Sequence, residues 1–147
     1  MGTNHMGRQS IRFPQPPVVR GFASVAGKKE REGPLGDQFT ATVQDTTFGE
    51  KSWERAERRM QQMTLELALE KAGLTDADLD AAFAGDLLNQ CIGSSFSLRN
   101  RGVPTLGLYG ACSTMAESLL LAAMSVSGGF ARTALAMTSS HFASSER

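Results

Sequence analysis

The segment with the clearest chemical potential is the turn around Cys112. Gly110 marks a sharp turn after an apolar stretch at 105–109, and Cys112 stands directly before an apolar helix. Backbone amides at a helix N-terminus carry a partial positive charge, so a thiolate there is stabilised and reactive. The same amides, with Ser113 or Thr114 capping the helix, would instead hold a carboxylate ligand. A third interpretation stays open, in which Cys112 is a small buried residue at a strand end.

Other polar residues follow predicted strands and are expected to gather near Cys112. Asp86 and His141 come just after strands, and Asn89 lies near the start of the next helix. Ligands in open α/β sheets bind beyond the carboxyl ends of the strands, so these side chains would share one site. The alternative is that Asp86 and Asn89 cap a helix at 87–90 and that His141 is an exposed loop residue.

An alternation of strands and helices would position these residues. Ser52 caps a helix that extends to Ala72 and is closed by Gly73. The spacing further predicts strands at 18–26, 81–85, 105–109 and 133–138, helices at 89–100 and 113–127, a capped turn at 75–80 and a loop at 27–36. This order predicts the α/β class, with a mostly parallel sheet flanked by helices on both faces.

Hydrophobic spacing also predicts which helix positions are buried. In the first long helix these are Trp53, Ala56, Met60, Met63, Leu67 and 69–72, and in the next helix they are Ile92, Phe96 and Leu98.

Composition excludes several classes of function. The 147 residues contain 15 Lys+Arg and 15 Asp+Glu, so there is none of the basic surplus typical of a nucleic-acid binder. The most apolar run, 119–124, is far shorter than the roughly 20 residues that span a bilayer. Cys91, for which packing is expected, and Cys112 make no disulfide framework, so an intracellular location is the default. His5 is the other histidine, and no metal-ligand spacing or cofactor motif is present.

One domain is expected at 18–147, after a disordered lead-in at 1–17, part of which is expected to be an expression scar.

Five blocks of this chain resemble the stage V sporulation protein AD family of thiolase-like proteins in order and spacing. They are 27–36, 53–58, 84–90, 110–114 and 138–147.

The resemblance implies a thiolase-like fold with two similar α/β halves, of which this chain is the N-terminal one, usually paired as a homodimer. It implies binding of dipicolinic acid, alone or as the calcium chelate, during its uptake into the developing spore with other proteins of the same operon. The location would be the forespore or spore, including peripheral association with its inner membrane. The implied pocket is built around Cys112, Ser113 and Thr114, with Asp86, Asn89 and His141 as its walls.

The same resemblance leaves an enzymatic alternative, an acyltransferase of the thiolase or ketoacyl synthase type with Cys112 as nucleophile. Thiolase enzymes take their proton-transfer residues from the second half of the fold, and only His141 is available here as a base. We therefore expect ligand binding rather than catalysis. We also expect this half to pair with itself or with a separate second half.

Overall fold

The computed structural model describes residues 4–87 and 91–140, and a three-stranded parallel sheet lies at its centre. The strands are β1 (His5–Met6), β2 (Ser10–Ile11), β3 (Val25–Ala26), β4 (Ala41–Thr42), β5 (Ala81–Gly85), β6 (Thr105–Leu108) and β7 (Ala134–Thr138). The helices are α1 (Lys28–Arg31), α2 (Trp53–Ala72), α3 (Ile92–Leu98) and α4 (Thr114–Ser127), with 3-10 turns at Gly36–Gln38, Asp76–Asp78 and Ala111–Ser113. In the part of the chain that the structure describes, none of the helices combines the length and the apolar composition that a membrane-spanning segment needs.

The central sheet has the strand order β6-β5-β7, and its strands end level with one another. Gly85, the last residue of β5, is paired with Leu108 of β6 and with Thr138 of β7. The residues that follow the three strands therefore meet at one edge of the sheet. Ligands of open α/β proteins bind at this kind of edge.

Helices cover both faces of this sheet, and the predicted α/β class is confirmed. Ala82 and Ala84 of β5 belong to the main core, which also contains Leu65 and Leu69 of α2 and Leu98 of α3. On the opposite face, Gly85 lies against Thr114 at the start of α4. The arrangement is compatible with one half of a thiolase-like fold.

Helix α2 has the predicted ends but a different buried face. The Ser52 hydroxyl accepts a hydrogen bond from the amide of Arg55 at 3.3 Å, and Gly73 closes the helix with φ of +66°. Its buried residues are Ala56, Glu57, Gln61, Leu65 and Leu69. The predicted inward positions Met60, Met63 and Leu67 are only half-buried. The reason is that four of the buried residues form a row with a spacing of four, which places the polar Glu57 and Gln61 in line with the core leucines.

Helix α3 is shorter than predicted, and its buried face is largely polar. Ile92 is 40% exposed and Phe96 is 48% exposed, so the prediction that both point inward is wrong, whereas Leu98 is buried as predicted. The buried residues are Gly93, Ser94, Ser97 and Leu98. A methyl group on Gly93 would lie 3.2 Å from a carboxylate oxygen of Asp86. Close packing against that carboxylate therefore turns the small side chains of α3 toward the interior.

The first quarter of the chain differs most from the sequence-based expectation. Of the strand expected at 18–26, only Val25–Ala26 is formed, and it pairs in parallel with β4 outside the central sheet. Helix α1 lies inside the segment predicted to be a loop, at 27–36. The segment expected to be a disordered lead-in contains a short antiparallel hairpin in which His5 is paired with Ile11.

Candidate functional site

The turn after β6 presents Cys112 at the surface, directly before α4. Gly110 begins the turn, Ala111 follows with φ of +48°, and the free Cys112 side chain is exposed. This finding excludes the interpretation of Cys112 as a buried residue. An L-residue in the left-handed region costs roughly 1–2 kcal/mol, and such strain is concentrated at functional sites. The strained residue immediately precedes the thiol, as expected for a turn that projects a reactive or ligand-binding side chain.

Hydrogen bonds within the turn engage backbone donors on both sides of Cys112, including the amide of Ser113 at the expected helix N-terminus. The amide of Gly110 donates to Thr114 Oγ1 at 3.1 Å, and the amide of Ser113 donates to the Gly110 carbonyl at 3.0 Å. Thr114 Oγ1 in turn donates to the carbonyl of Ala111 at 2.8 Å. Ser113 does not cap α4 with its side chain. The helix N-terminus therefore offers a carboxylate fewer donors than its sequence suggests.

Glu117 brings a negative charge to the same turn. Ser113 Oγ lies 2.6 Å from Glu117 Oε1 and 2.7 Å from the carbonyl oxygen of Gly110, and its single proton serves one of them at a time. A side chain on Gly110 would collide with the Glu117 carboxylate. Sequence reasoning missed this residue, although the spacing of four between Ser113 and Glu117 on a helix indicates contact.

Asp86 lies at the predicted edge of the sheet, but its carboxylate points toward α3. It is fully buried, and its Oδ2 accepts hydrogen bonds from the amide of Ser94 at 2.7 Å and from the Ser94 hydroxyl at 2.6 Å. In this position Asp86 satisfies an amide in the first turn of α3. The other predicted walls, Asn89 and His141, lie outside the described residues.

A buried polar network beside Asp86 was not predicted from the sequence. It links residues of α2 and α3 with the residues that follow β5 and β7, and its members are Glu57, Gln61, Asp86, Ser94, Ser97 and Ser139. All but Ser139 are buried. A sequence signal for the burial of Glu57 and Gln61 did exist. Positions 57, 61, 65 and 69 lie on one face of α2, so the two polar residues share that face with two leucines.

Cys91 differs from Cys112 in its surroundings. It is buried, and its thiol donates to the carbonyl of Leu108 at 3.1 Å. A buried cysteine of this kind acts as a small packing residue with a weak donor. Among residues 4–87 and 91–140, no group of three or more His, Cys, Asp or Glu side chains is arranged to hold a metal ion.

Comparison with known proteins places these features in one family. The family model described as Stage V sporulation protein AD (SpoVAD) matches residues 7–147 of this chain. A curated relative, Stage V sporulation protein AD of Bacillus subtilis (strain 168), is 43% identical over 141 residues. That alignment covers 96% of this chain and 42% of the relative, so the chain spans less than half of the relative's length.

Proposed function

Because the chain belongs to the stage V sporulation protein AD family, we propose that it binds dipicolinic acid, pyridine-2,6-dicarboxylate, and takes part in its uptake into the developing spore. The observation that carries the site assignment is the exposed Cys112 on a strained turn beyond the carboxyl end of β6. A flat aromatic dicarboxylate suits a site that combines apolar walls with a few directed polar groups.

The charge at this turn favours the calcium chelate over free dipicolinate as the ligand. The Glu117 carboxylate lies at the turn, hydrogen-bonded to Ser113. A like charge nearby opposes binding of a dianion, whereas a one-to-one calcium chelate of that dianion is electrically neutral. The turn also uses its Gly110 and Ser113 amides internally, which leaves less positive potential to offset Glu117.

Calorimetric titration of the full-length protein tests this proposal. We expect saturable binding of dipicolinic acid that is tighter when an equimolar amount of calcium is present. The Cys112→Ala variant is expected to bind about tenfold more weakly, since losing one contact worth about 1.4 kcal/mol changes Kd by that factor.

The matched control is Cys91→Ala, which removes the buried cysteine and is expected to retain the wild-type Kd. An absence of binding with and without calcium would contradict the proposal, as would a Cys112→Ala variant with unchanged Kd. Incubation with an acyl thioester provides a second readout. Fast acylation of Cys112 with one acyl group per chain would instead support the acyltransferase alternative.

We further propose that the protein is a homo-oligomer. Exposed apolar side chains lie on α4 and at the end of β6, which is an edge strand of the central sheet in the described part of the chain. They are Met115, Leu119, Leu120 and Met124 on α4, with Leu106 and Tyr109 at β6. Several exposed apolar side chains on one helix and an open strand edge are common features of protein interfaces.

Light scattering of the chain at micromolar concentration measures this association. We expect a mass above that of the monomer, and we expect Leu120→Glu to lower it because a charge would be buried in the contact. The control is Val18→Glu, at an exposed position far along the chain from α4 and β6. A monomeric wild-type chain would contradict the proposal.

Membership in a sporulation family indicates a spore-related compartment for this protein. We propose the forespore or spore as the location, with peripheral association at the inner membrane and with other proteins of the same operon as partners.

A further inference from the structure

We propose that Gln61 is a positioning residue that holds the carboxyl ends of β5 and β7 together and thereby sets the geometry of the ligand site. The carboxyl end of β5 also borders the turn that carries Cys112, because Gly85 is paired with Leu108 and lies against Thr114. The inference deepens the proposed function and rests on it, because the geometry in question is that of the dipicolinate site.

The first step of the argument is the direction of the hydrogen bonds around Gln61. Ser139 Oγ donates to Glu57 Oε1 at 2.6 Å, and Ser94 Oγ donates to Asp86 Oδ2 at 2.6 Å. A serine hydroxyl has one proton, so each of these two oxygens can only accept from any further partner. The Gln61 Nε2 lies 2.6 Å from Ser139 Oγ and 3.2 Å from Ser94 Oγ. Its two protons therefore serve both hydroxyls at once.

The second step is that a carboxamide side chain suits this position. Gln61 Oε1 lies 2.6 Å from Ser97 Oγ, whose single proton serves either this oxygen or the carbonyl oxygen of Ser94 at 3.0 Å. A side chain that donates twice and accepts once in one plane is an amide. Glutamate would keep the acceptor and lose both donors, and methionine would fill a similar volume without any of the three hydrogen bonds.

The third step is the place of this link in the fold. Asp86 and Ser139 directly follow β5 and β7, and the amide of Ser139 also donates to the carbonyl of Gly85 at 3.2 Å. Gln61 is 1% exposed and belongs to the 20-residue helix α2, so a rigid element anchors both strand ends. Buried polar links of this kind orient the groups that contact a ligand, and a small displacement of those groups weakens binding.

Two measurements on the full-length protein test the proposal, using Gln61→Met and Gln61→Glu. The first is the Kd for the calcium chelate of dipicolinic acid, titrated at a temperature where circular dichroism shows each variant fully folded. We expect both variants to bind about tenfold more weakly, the factor that corresponds to roughly 1.4 kcal/mol of lost hydrogen bonding. A residue that contributes to stability alone would leave the Kd of the folded protein unchanged.

The second measurement is amide hydrogen exchange by NMR without ligand, which is independent of the proposed function. We expect the amides of Ser94 and Ser139 to exchange about tenfold faster in Gln61→Met, because their strand-end and helix-start contacts open locally. The amide of Ala82, at the other end of β5, is expected to keep its wild-type rate.

The matched control for both measurements is Gln62→Met, because Gln62 is the neighbouring glutamine and has no part in the network. It is expected to retain the wild-type Kd and exchange rates. Wild-type exchange rates at Ser94 and Ser139 in Gln61→Met would overturn the positioning role whether or not the protein binds dipicolinate. Faster exchange with an unchanged Kd would also overturn it. Faster exchange in a protein whose wild type binds no dipicolinate would support the structural link and refute the proposed function.

Discussion

Replacing Gly85 with alanine is expected to lower the free energy of unfolding by about 3 kcal/mol, at the upper end of what overpacking costs. A methyl group at this position would collide with the carbonyl oxygen of Leu108 on β6 and with the side chain of Thr114 on α4. The first of these is a backbone atom, so it moves only if the ends of β5 and β6 separate. The same movement would displace the turn that carries Cys112, and we expect ligand binding to weaken as well.

Thermal unfolding measures this effect, and the expected loss corresponds to a fall in Tm of about 10 °C for a domain of this size. Gly107→Ala is the matched control, because it makes the same substitution in the neighbouring strand. The atoms nearest to the methyl group added at Gly107 would be Cβ and Sγ of Cys91, at 3.8 and 3.9 Å, which is ordinary van der Waals contact. We expect this control to stay within about 0.5 kcal/mol of wild type. A Gly85→Ala protein with the Tm of the control would refute the close approach of β5, β6 and α4.

Asp86→Ala is expected to cost about 3 kcal/mol of stability, because it leaves two buried donors without their acceptor. The donors are the amide and the hydroxyl of Ser94, which lie 2.7 and 2.6 Å from Asp86 Oδ2. Asp86→Asn retains one carbonyl oxygen as acceptor and should lose less. Chemical denaturation gives the free energies, and the titration described above gives the Kd of each folded variant.

The outcome decides between two roles for Asp86. As a structural residue it would change the unfolding free energy strongly, whereas a residue that only contacts the ligand would change the Kd and leave stability nearly unaltered. Asp37→Ala serves as the control, since Asp37 is an exposed aspartate in a short 3-10 turn, and is expected to remain within about 0.5 kcal/mol of wild type. An Asp86→Ala protein as stable as that control would contradict the structural role.

The two parts of the proposed site at this edge of the sheet are built differently. The turn with Cys112 is exposed, strained at Ala111 and carries the charge of Glu117. The region around Asp86 is buried and tied to α2 through Gln61. We interpret the first as the surface that meets a ligand and the second as the support that holds the strand ends in place. This division explains why Asp86, which was expected to line the pocket, is instead fully buried.

Much of the fold follows from local signals in the sequence. Ser52 and Gly73 set the ends of α2 because an N-cap hydroxyl and a left-handed glycine act within one turn of the helix. The short apolar run at 81–85 and the strand before Gly110 were recognisable because turn residues bound them. The position of Cys112 before α4 was equally local, since it depends on the order of strand, glycine and helix. Membership in the family was likewise evident from blocks of residues along the chain.

Only the tertiary structure decided how the polar residues are used. Gln61 and Ser139 are 78 residues apart in the chain, and Glu57 and Ser139 are 82 apart. The row shared with Leu65 and Leu69 is a local signal for Glu57 and Gln61, but it does not identify their partners, because the burial of those partners depends on how α2, α3 and the strand ends pack. The same holds for Ile92 and Phe96, which hydrophobicity placed inside and packing left exposed. The sequence by itself therefore determined the family, the α/β alternation and the place of Cys112. The packing of distant elements determined that Cys112 is exposed and Asp86 buried, and that Gln61 links the ends of β5 and β7 at the sheet edge where the Cys112 turn also lies.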